Sequence, residues 1–358
     1  MLSRRLTVLA DMRWPPQTGI GEVQDAYVSR KPDDIFLVDL KVRGRIGSPL
    51  SPLFIGLALW RARQSDALFW NAGFVPPLFG CRRSIVFVHD LTHIKYYNAA
   101  RRIYYNVVLK ALYRRCAAIV CVSEYGRSEF VAWSKIDSAK VYVLKNGVPK
   151  RFIENKFSSI LPYKYVLYPG NHRPHKNLRR LIQGFAKSGI SERGLHLVIT
   201  GNENPELRLL SRDCGVDGYV HFQGIVPGDD IAKLYRGAEA IAFVSLDEGF
   251  GLPILEAMAS DVPVLTSDIA AMAEIAEDAA LTVNPLSVDA IAGALHRITS
   301  DAALRRLLIK KGRARIRLFD WDRSAVAFWQ LVRNLQETLS AGISQKSWRR
   351  QVSHGDVT

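Results

Sequence analysis

The sequence predicts an α/β protein built as two successive βα series, and three observations carry that expectation. Short apolar runs suited to strands buried on both faces alternate with helix-compatible stretches, first from Leu6 to Leu144 and again from Tyr165 onwards. The chain has 358 residues, 48% of them hydrophobic, which is room for two domains of ordinary size. The third observation is a long strand–turn–helix pattern over residues 244–259, around which the rest of the reading is organised.

That pattern reads Val244-Ser-Leu-Asp-Glu248-Gly-Phe250-Gly251-Leu252-Pro253-Ile-Leu-Glu256-Ala-Met-Ala259. An apolar run from Ala238 to Val244 predicts a buried strand, and Pro253 suits the first position of a helix. Gly249 and Gly251 let backbone approach a ligand with no side chain in between. The unpaired N–H groups at the helix start favour an anion such as phosphate. Glu248 falls on the loop and Glu256 about one turn into the helix, so the two carboxylates stand at different depths, suited to two jobs.

Glu248-Gly-Phe-Gly-Leu-Pro followed by Glu256-Ala-Met-Ala resembles the signature of the retaining glycosyltransferases of family 4. The resemblance implies the GT-B fold: two Rossmann-like domains facing across a cleft, with a C-terminal helix crossing back to the first. It covers nearly the whole chain and is most specific from Tyr235 to Val264. It implies domains at 1–156 (acceptor- and membrane-facing) and 157–319 (nucleotide-sugar-binding), a crossing helix at 320–340, and a flexible tail at 341–358.

Composition narrows the partners. Residues 1–156 hold 25 Lys and Arg against 12 Asp and Glu, and the remainder 24 against 22, so the excess positive charge belongs to the first half. Such a field attracts anionic lipid, nucleic acid or a diphosphate substrate. No nucleic-acid-binding motif accompanies it, so no nucleic acid is expected. Cys81, Cys116, Cys121 and Cys214 lack metal-ligand or redox spacing and read as reduced thiols of a cytosolic protein. The apolar part of Met1–Ala10 is too short for a signal peptide, and the run Pro52–Trp60 is too short to span a bilayer.

In chain order, Leu6–Ala10 predicts the first strand, followed by Gly19-Ile-Gly21, suited to a phosphate-facing turn, and a helix through Tyr27. Ile35–Leu40 and Ala67–Trp70 are further strands, with a helix over Leu53–Ala62 between them. Ser84–Val88 is a buried strand ending at His89, where ligands of open α/β sheets gather. Ala99–Cys116 predicts a helix with Arg102, Asn106, Lys110 and Arg114 on one side. Its apolar side is Tyr104, Val107, Val108, Ala111 and Leu112. It reads either as a core helix with a solvated basic face or as a surface meeting anionic lipid, with Tyr105 and Tyr113 at the interface. Ala117–Val122 and Val141–Leu144 complete the first series, and Lys150–Pro162 reads as a linker.

The second series opens with Tyr165–Tyr168 and the loop Gly170-Asn-His-Arg173-Pro-His175-Lys176-Asn177. Two or three cations before a helix suit the neutralisation of a leaving diphosphate. Leu195–Thr200 and Val220–Phe222 are strands, and Val262–Thr266 is another. Asp261 stands where the family usually has Gly, at a turn that tolerates left-handed Asp. Asp320-Trp-Asp322 caps a last amphipathic helix running to about Thr338, and Trp348-Arg-Arg350 offers a weak membrane contact.

From the resemblance, Glu256 holds the ribose hydroxyls, and Lys176 with Arg173 or His175 offsets the diphosphate. Gly19, Gly21, Phe250, Gly251 and Leu252 line the donor, Val226 packs by the base, and Glu248 and His89 flank the transferred sugar. No metal ion and no cofactor is implied; the donor is a substrate, best read as GDP-mannose, with UDP-sugars the alternative. The acceptor is read as a lipid-diphosphate-linked saccharide at the inner face of the plasma membrane. A dinucleotide-dependent oxidoreductase is the competitor from another class. It is weakened by Gln24 where a third glycine of Gly-x-Gly-x-x-Gly would stand. A non-catalytic basic membrane- or nucleic-acid-binding protein is the other.

Overall fold

A computed structural model of the chain describes residues 6–341 apart from 17, 65 and 97. The expected tail at 341–358 and its Trp348-Arg-Arg350 lie almost wholly outside the described residues. The chain forms two compact units, Met1–Asn146 with Trp321–Thr358, and Gly147–Asp320. The division precedes residue 156 because Lys150–Glu154, read as linker, forms a helix of the second unit, with Phe152 buried edge-on to Tyr235 at 5.0 Å.

The first unit holds β1 (Leu6–Ala10), β2 (Ile35–Asp39), β3 (Leu68–Asn71), β4 (Ser84–Val88), β5 (Ala118–Cys121) and β6 (Val141–Val143). They form one parallel sheet in the order β2-β1-β3-β4-β5-β6. Alternation along β4 explains its unbroken apolar sequence: Ile85 and Phe87 enter one core, Val86 and Val88 the other. The first core is closed by the last helix, Trp321–Ser340, whose Phe328 lies 4.9 Å from Tyr27 and 5.0 Å from Trp70. Trp329 Nε1 donates to the Tyr27 carbonyl at 3.2 Å. Emptying the fully buried Phe328 site by Phe328→Ala costs about 3–5 kcal/mol.

Two expectations for this unit are corrected. Gly19 and Gly21 lie in the first turn of the helix Gly19–Val28, capped by the Thr18 side chain, rather than in a turn before it. The helix expected over Ala99–Cys116 ends at Tyr113 and contains a π-helical stretch, Tyr105–Leu109. The wider turn shifts which residues face the sheet. Tyr105 and Tyr113 are therefore buried in the second core, not interfacial, while Val107 (65% exposed), Ile103 and Val108 face solvent.

The second unit holds β7 (Lys164–Tyr168), β8 (Leu195–Ile199), β9 (Val220–Phe222), β10 (Ala240–Phe243), β11 (Val264–Ser267) and β12 (Leu281–Val283). They too form one parallel sheet, in the order β12-β11-β10-β7-β8-β9. The helix Leu178–Lys187 packs on Val288–Ser300 through Gly184, where a Cβ would come 2.6 Å from Ile291 Cγ2. Asp261 adopts the left-handed conformation expected of it, at φ 59°, and its carboxylate accepts from Arg313 at 2.6 Å. No helix among the described residues is long and apolar enough to cross a membrane.

Candidate active site

In the second sheet the chain order reverses between β7 and β10, which are neighbours. Loops leaving the carboxyl ends of two such strands form the usual ligand crevice of an open α/β sheet. The loop after β7 carries Lys176 and the loop after β10 carries Glu248. Their side chains meet there: Nζ lies 2.6 Å from Oε1, at 13% and 14% exposure. The Lys176 ammonium also sits 5.3 Å above the Phe243 ring.

Local geometry fixes both loops. Pro174–Lys176 forms one 3-10 turn, and Asn177 takes the left-handed conformation that starts the following helix. The Asn177 amide donates to the carbonyls of Val244 and Pro285 at 2.9 and 2.7 Å, tying the two loops together. His175 is buried and its carbonyl accepts from Leu246 N–H at 2.7 Å, whereas Arg173 is exposed on the same loop. Gly251, at φ 103°, precedes the helix Leu252–Ala259, in which Pro253 is the second residue rather than the first. Phe250 is buried edge-on to Phe319 at 5.9 Å, so what it offers a ligand is main chain.

Glu256 stands on that helix and accepts a 2.6 Å hydrogen bond from the Tyr235 hydroxyl. Burial first, and then the Glu256 charge, push the Tyr235 phenol well above its ordinary value, so it stays a donor. Val226 is half-buried in the loop between β9 and the helix Gly228–Arg236, beside the 84% exposed Ile225.

The remaining candidates belong to the first unit. There the order reverses between β1 and β3. His89 follows β4, and its Nε2 lies 2.6 Å from the Ala72 carbonyl. A carbonyl only accepts, so Nε2 carries the hydrogen and Nδ1 is left as the basic nitrogen. Burial lowers the His89 pKa, keeping the ring neutral at pH 7. Burial works to raise the Asp90 carboxyl, but hydrogen bonds from His93 and Thr92 outweigh it and hold the group ionised. A Cβ on Gly21 would meet the Pro15 carbonyl at 1.9 Å, whereas one on exposed Gly19 would meet nothing within 4 Å.

Sequence reasoning missed two residues and one pairing. Tyr235 was given no role of its own, only the start of the most specific stretch. The pairing of Lys176 with Glu248 depends on which strands are neighbours, which no local pattern encodes. Asp11, buried at the end of β1, holds Arg13 by two bonds of 2.7 and 2.8 Å.

Among solved structures, sucrose-phosphate synthase from Thermosynechococcus elongatus superposes with TM-score 0.73 over 93% of this chain and 99% of that one, at 21% identity. WaaG, a glycosyltransferase involved in lipopolysaccharide biosynthesis, gives 0.70 over 91% and 99% at 16% identity. The fold is that of the two-domain GT-B glycosyltransferases. Residues 26–152 match Glycosyltransferase Family 4, and residues 149–315 match Glycosyl transferases group 1. The chain belongs to glycosyltransferase family 4. Among its relatives, O-antigen chain mannosyltransferase B of Escherichia coli is 28% identical over 74% of this chain and 73% of that protein. O-antigen chain mannosyltransferase RfbU of Salmonella typhimurium is 31% identical over 57% of each.

Proposed function

We propose that the protein transfers mannose from GDP-mannose, with retention of configuration and without a metal ion, to a lipid-diphosphate-linked saccharide in cell-surface polysaccharide synthesis. The observation that carries the donor half of this reading is the Lys176–Glu248 pair at the point where the second sheet reverses, with Glu256 on the adjoining helix. The two relatives named as O-antigen mannosyltransferases supply the sugar and the pathway class.

In this reading the Glu256 carboxylate accepts from the ribose hydroxyls, and Ile225 and Val226 border the base. The diphosphate enters beside Lys176, which exchanges part of its pairing with Glu248 for the phosphate oxygens. Exposed Arg173, rather than buried His175, adds the second cation. The N–H groups from Gly251 onward complete the cradle. As the bond from the anomeric carbon to phosphate oxygen breaks, negative charge grows on the GDP leaving group, and fixed cations and N–H groups stabilise it without a metal. The acceptor hydroxyl adds from the same face and passes its proton to the departing phosphate oxygen. Glu248 lies beside the sugar and forms no covalent intermediate.

His89 and the basic first unit serve the acceptor side. The helix face carrying exposed Ile103, Val107 and Val108, with exposed Arg101, Arg102 and Arg114, suits the inner, anionic leaflet of the plasma membrane. In this reading the protein works on the cytoplasmic side, peripheral to that leaflet. The test is to incubate it with GDP-mannose and a lipid-diphosphate-linked α-mannoside, then read the new linkage by NMR. An α-mannosyl product is expected; a β-linkage, or transfer from UDP-sugars alone, would sink the proposal.

A further inference from the structure

Tyr168 is the last residue of β7 and is fully buried, yet its hydroxyl is turned toward the loop that carries the cations. It donates to the Asn171 carbonyl at 2.8 Å. Its ring lies 6.4 Å from that of Phe243, the last residue of β10, at 21°. The two strands between which the sheet order reverses therefore end in near-parallel rings, with the Lys176 ammonium over the second of them.

From Asn171 the bonding continues along the loop. Asn171 Oδ1 accepts from the Arg173 N–H at 3.3 Å, and the Arg173 carbonyl accepts from the Lys176 N–H at 2.9 Å. Tyr168 is thus the buried end of a run of hydrogen bonds that reaches the main chain of both cations. The same loop is tied to the end of β8. The Gly170 N–H donates to Thr200 Oγ1 at 2.7 Å, and His172 Nε2 lies 2.8 Å from the Thr200 carbonyl. Gly170 is at φ 138°, and a Cβ there would come 3.2 Å from the Tyr168 hydroxyl oxygen. The hydroxyl occupies the space that glycine leaves.

Packing alone does not call for a phenol at this position. A phenylalanine would fill the same ring site, so what the hydroxyl adds is the bond to the loop. Burial first, and then the Glu248 charge, push the Tyr168 phenol well above its ordinary value, so it stays a donor. Arg173, by contrast, is exposed. An exposed cation meets a growing charge most effectively when its backbone is already set.

We infer that Tyr168 is a positioning residue, its hydroxyl holding the Asn171 carbonyl so that the loop presents Arg173 to the leaving diphosphate beside Lys176. The inference rests on the glycosyl-transfer reading above and deepens it by naming what orients the second cation. Tyr168 itself touches no part of the donor and acts through Arg173.

The test is a double-mutant cycle on nucleotide binding. The parent chain, Tyr168→Phe, Arg173→Ala and the double variant are each titrated calorimetrically with GDP, GMP and UDP. Tyr168→Phe should weaken GDP about fivefold, the scale of one hydrogen bond, and GMP hardly at all, because the outer phosphate is the part that Arg173 meets. Arg173→Ala should weaken GDP about tenfold or more, and adding Tyr168→Phe to it should weaken GDP no further. Tm falls by a few degrees in Tyr168→Phe whatever the role of the residue, so the coupling decides and the Tm does not. GDP losses that multiply in the double variant, or equal losses of GDP and GMP in Tyr168→Phe, would overturn the assignment. The same coupling seen with UDP, in a parent that ignores GDP, would keep Tyr168 in this role and remove the guanosine donor from the reading above. A parent that binds neither diphosphate removes both.

Discussion

Lys176 Nζ and Glu248 Oε1 lie 2.6 Å apart on loops separated by 72 positions in sequence. Both side chains are largely withdrawn from water, so each compensates a charge the other could not leave uncompensated. Lys176→Ala should therefore do two things at once. It should lower kcat on the order of a hundredfold or more, by removing a cation from the leaving diphosphate. It should also lower Tm, by stranding the Glu248 carboxylate. The double variant Lys176→Ala/Glu248→Ala should recover much of the lost Tm and none of the activity. Full activity in Lys176→Ala would remove this residue from the mechanism.

Tyr235→Phe keeps the packing against Phe152 but deletes the donor to Glu256. Loss of one hydrogen bond to a charged group, of order 1.5–3 kcal/mol, corresponds to GDP binding weakened by about tenfold or more. Tm should fall by a few degrees, because the same bond is lost from the free protein. Calorimetric titration of GDP into both proteins measures the effect, and equal affinities would show that Glu256 does not depend on Tyr235 for its position.

Stability should fall as pH drops from 7.5 toward 5. Burial lowers the pKa of His89, His196 and His221, the last two sharing a 2.8 Å contact beneath the Tyr163 ring. A histidine whose folded pKa is below its unfolded value binds fewer protons when folded. Its contribution is then complete above the unfolded value of roughly 6.5 and is lost as pH falls through the folded value. Tm measured across this window in the parent and in His221→Gln should show a shallower slope in the variant. Identical slopes would remove the histidine pair from the pH dependence.

Two glycines should respond oppositely. Gly21→Ala forces a methyl into the Pro15 carbonyl and should lower Tm, whereas Gly19→Ala meets open space and should leave Tm unchanged or slightly raised. Loss of turnover in Gly19→Ala at unchanged Tm would mark Gly19 as a ligand contact. Unchanged turnover would show that its place in the helix start needs no closer explanation.

Prolonged dialysis against EDTA should leave transfer intact, because Lys176, Arg173 and the helix N-terminus at Leu252 are proposed to carry the leaving-group charge. Activity lost on chelation and regained with Mg²⁺ or Mn²⁺ would contradict that part of the mechanism.

The sequence displayed most of the fold because both sheets are parallel and covered on two faces. Their strands are unbroken apolar runs such as Ser84–Val88, and even the left-handed turn at Asp261 could be anticipated from its residue type. The helix beginning at Ala99 was legible as an element but not in its orientation, since a π-helical stretch changes facing without changing composition. The candidate site was legible wherever chemistry sits in one contiguous motif, as with Glu248 and Glu256. It was illegible wherever strand order brings distant loops together, as with Lys176 and Glu248, or wherever a buried hydroxyl orients a carboxylate, as with Tyr235.

The most direct measurement is calorimetric titration of the full metal-free chain with GDP, UDP, ADP and NAD, beside the Glu256→Ala variant. GDP is expected to bind the parent, with NAD silent. Glu256→Ala should weaken GDP on the order of a hundredfold, the scale of a lost pair of charge-assisted hydrogen bonds. Binding of NAD with no response to any nucleoside diphosphate, or GDP binding indifferent to Glu256, would contradict the assignment of this site to a nucleotide-sugar donor.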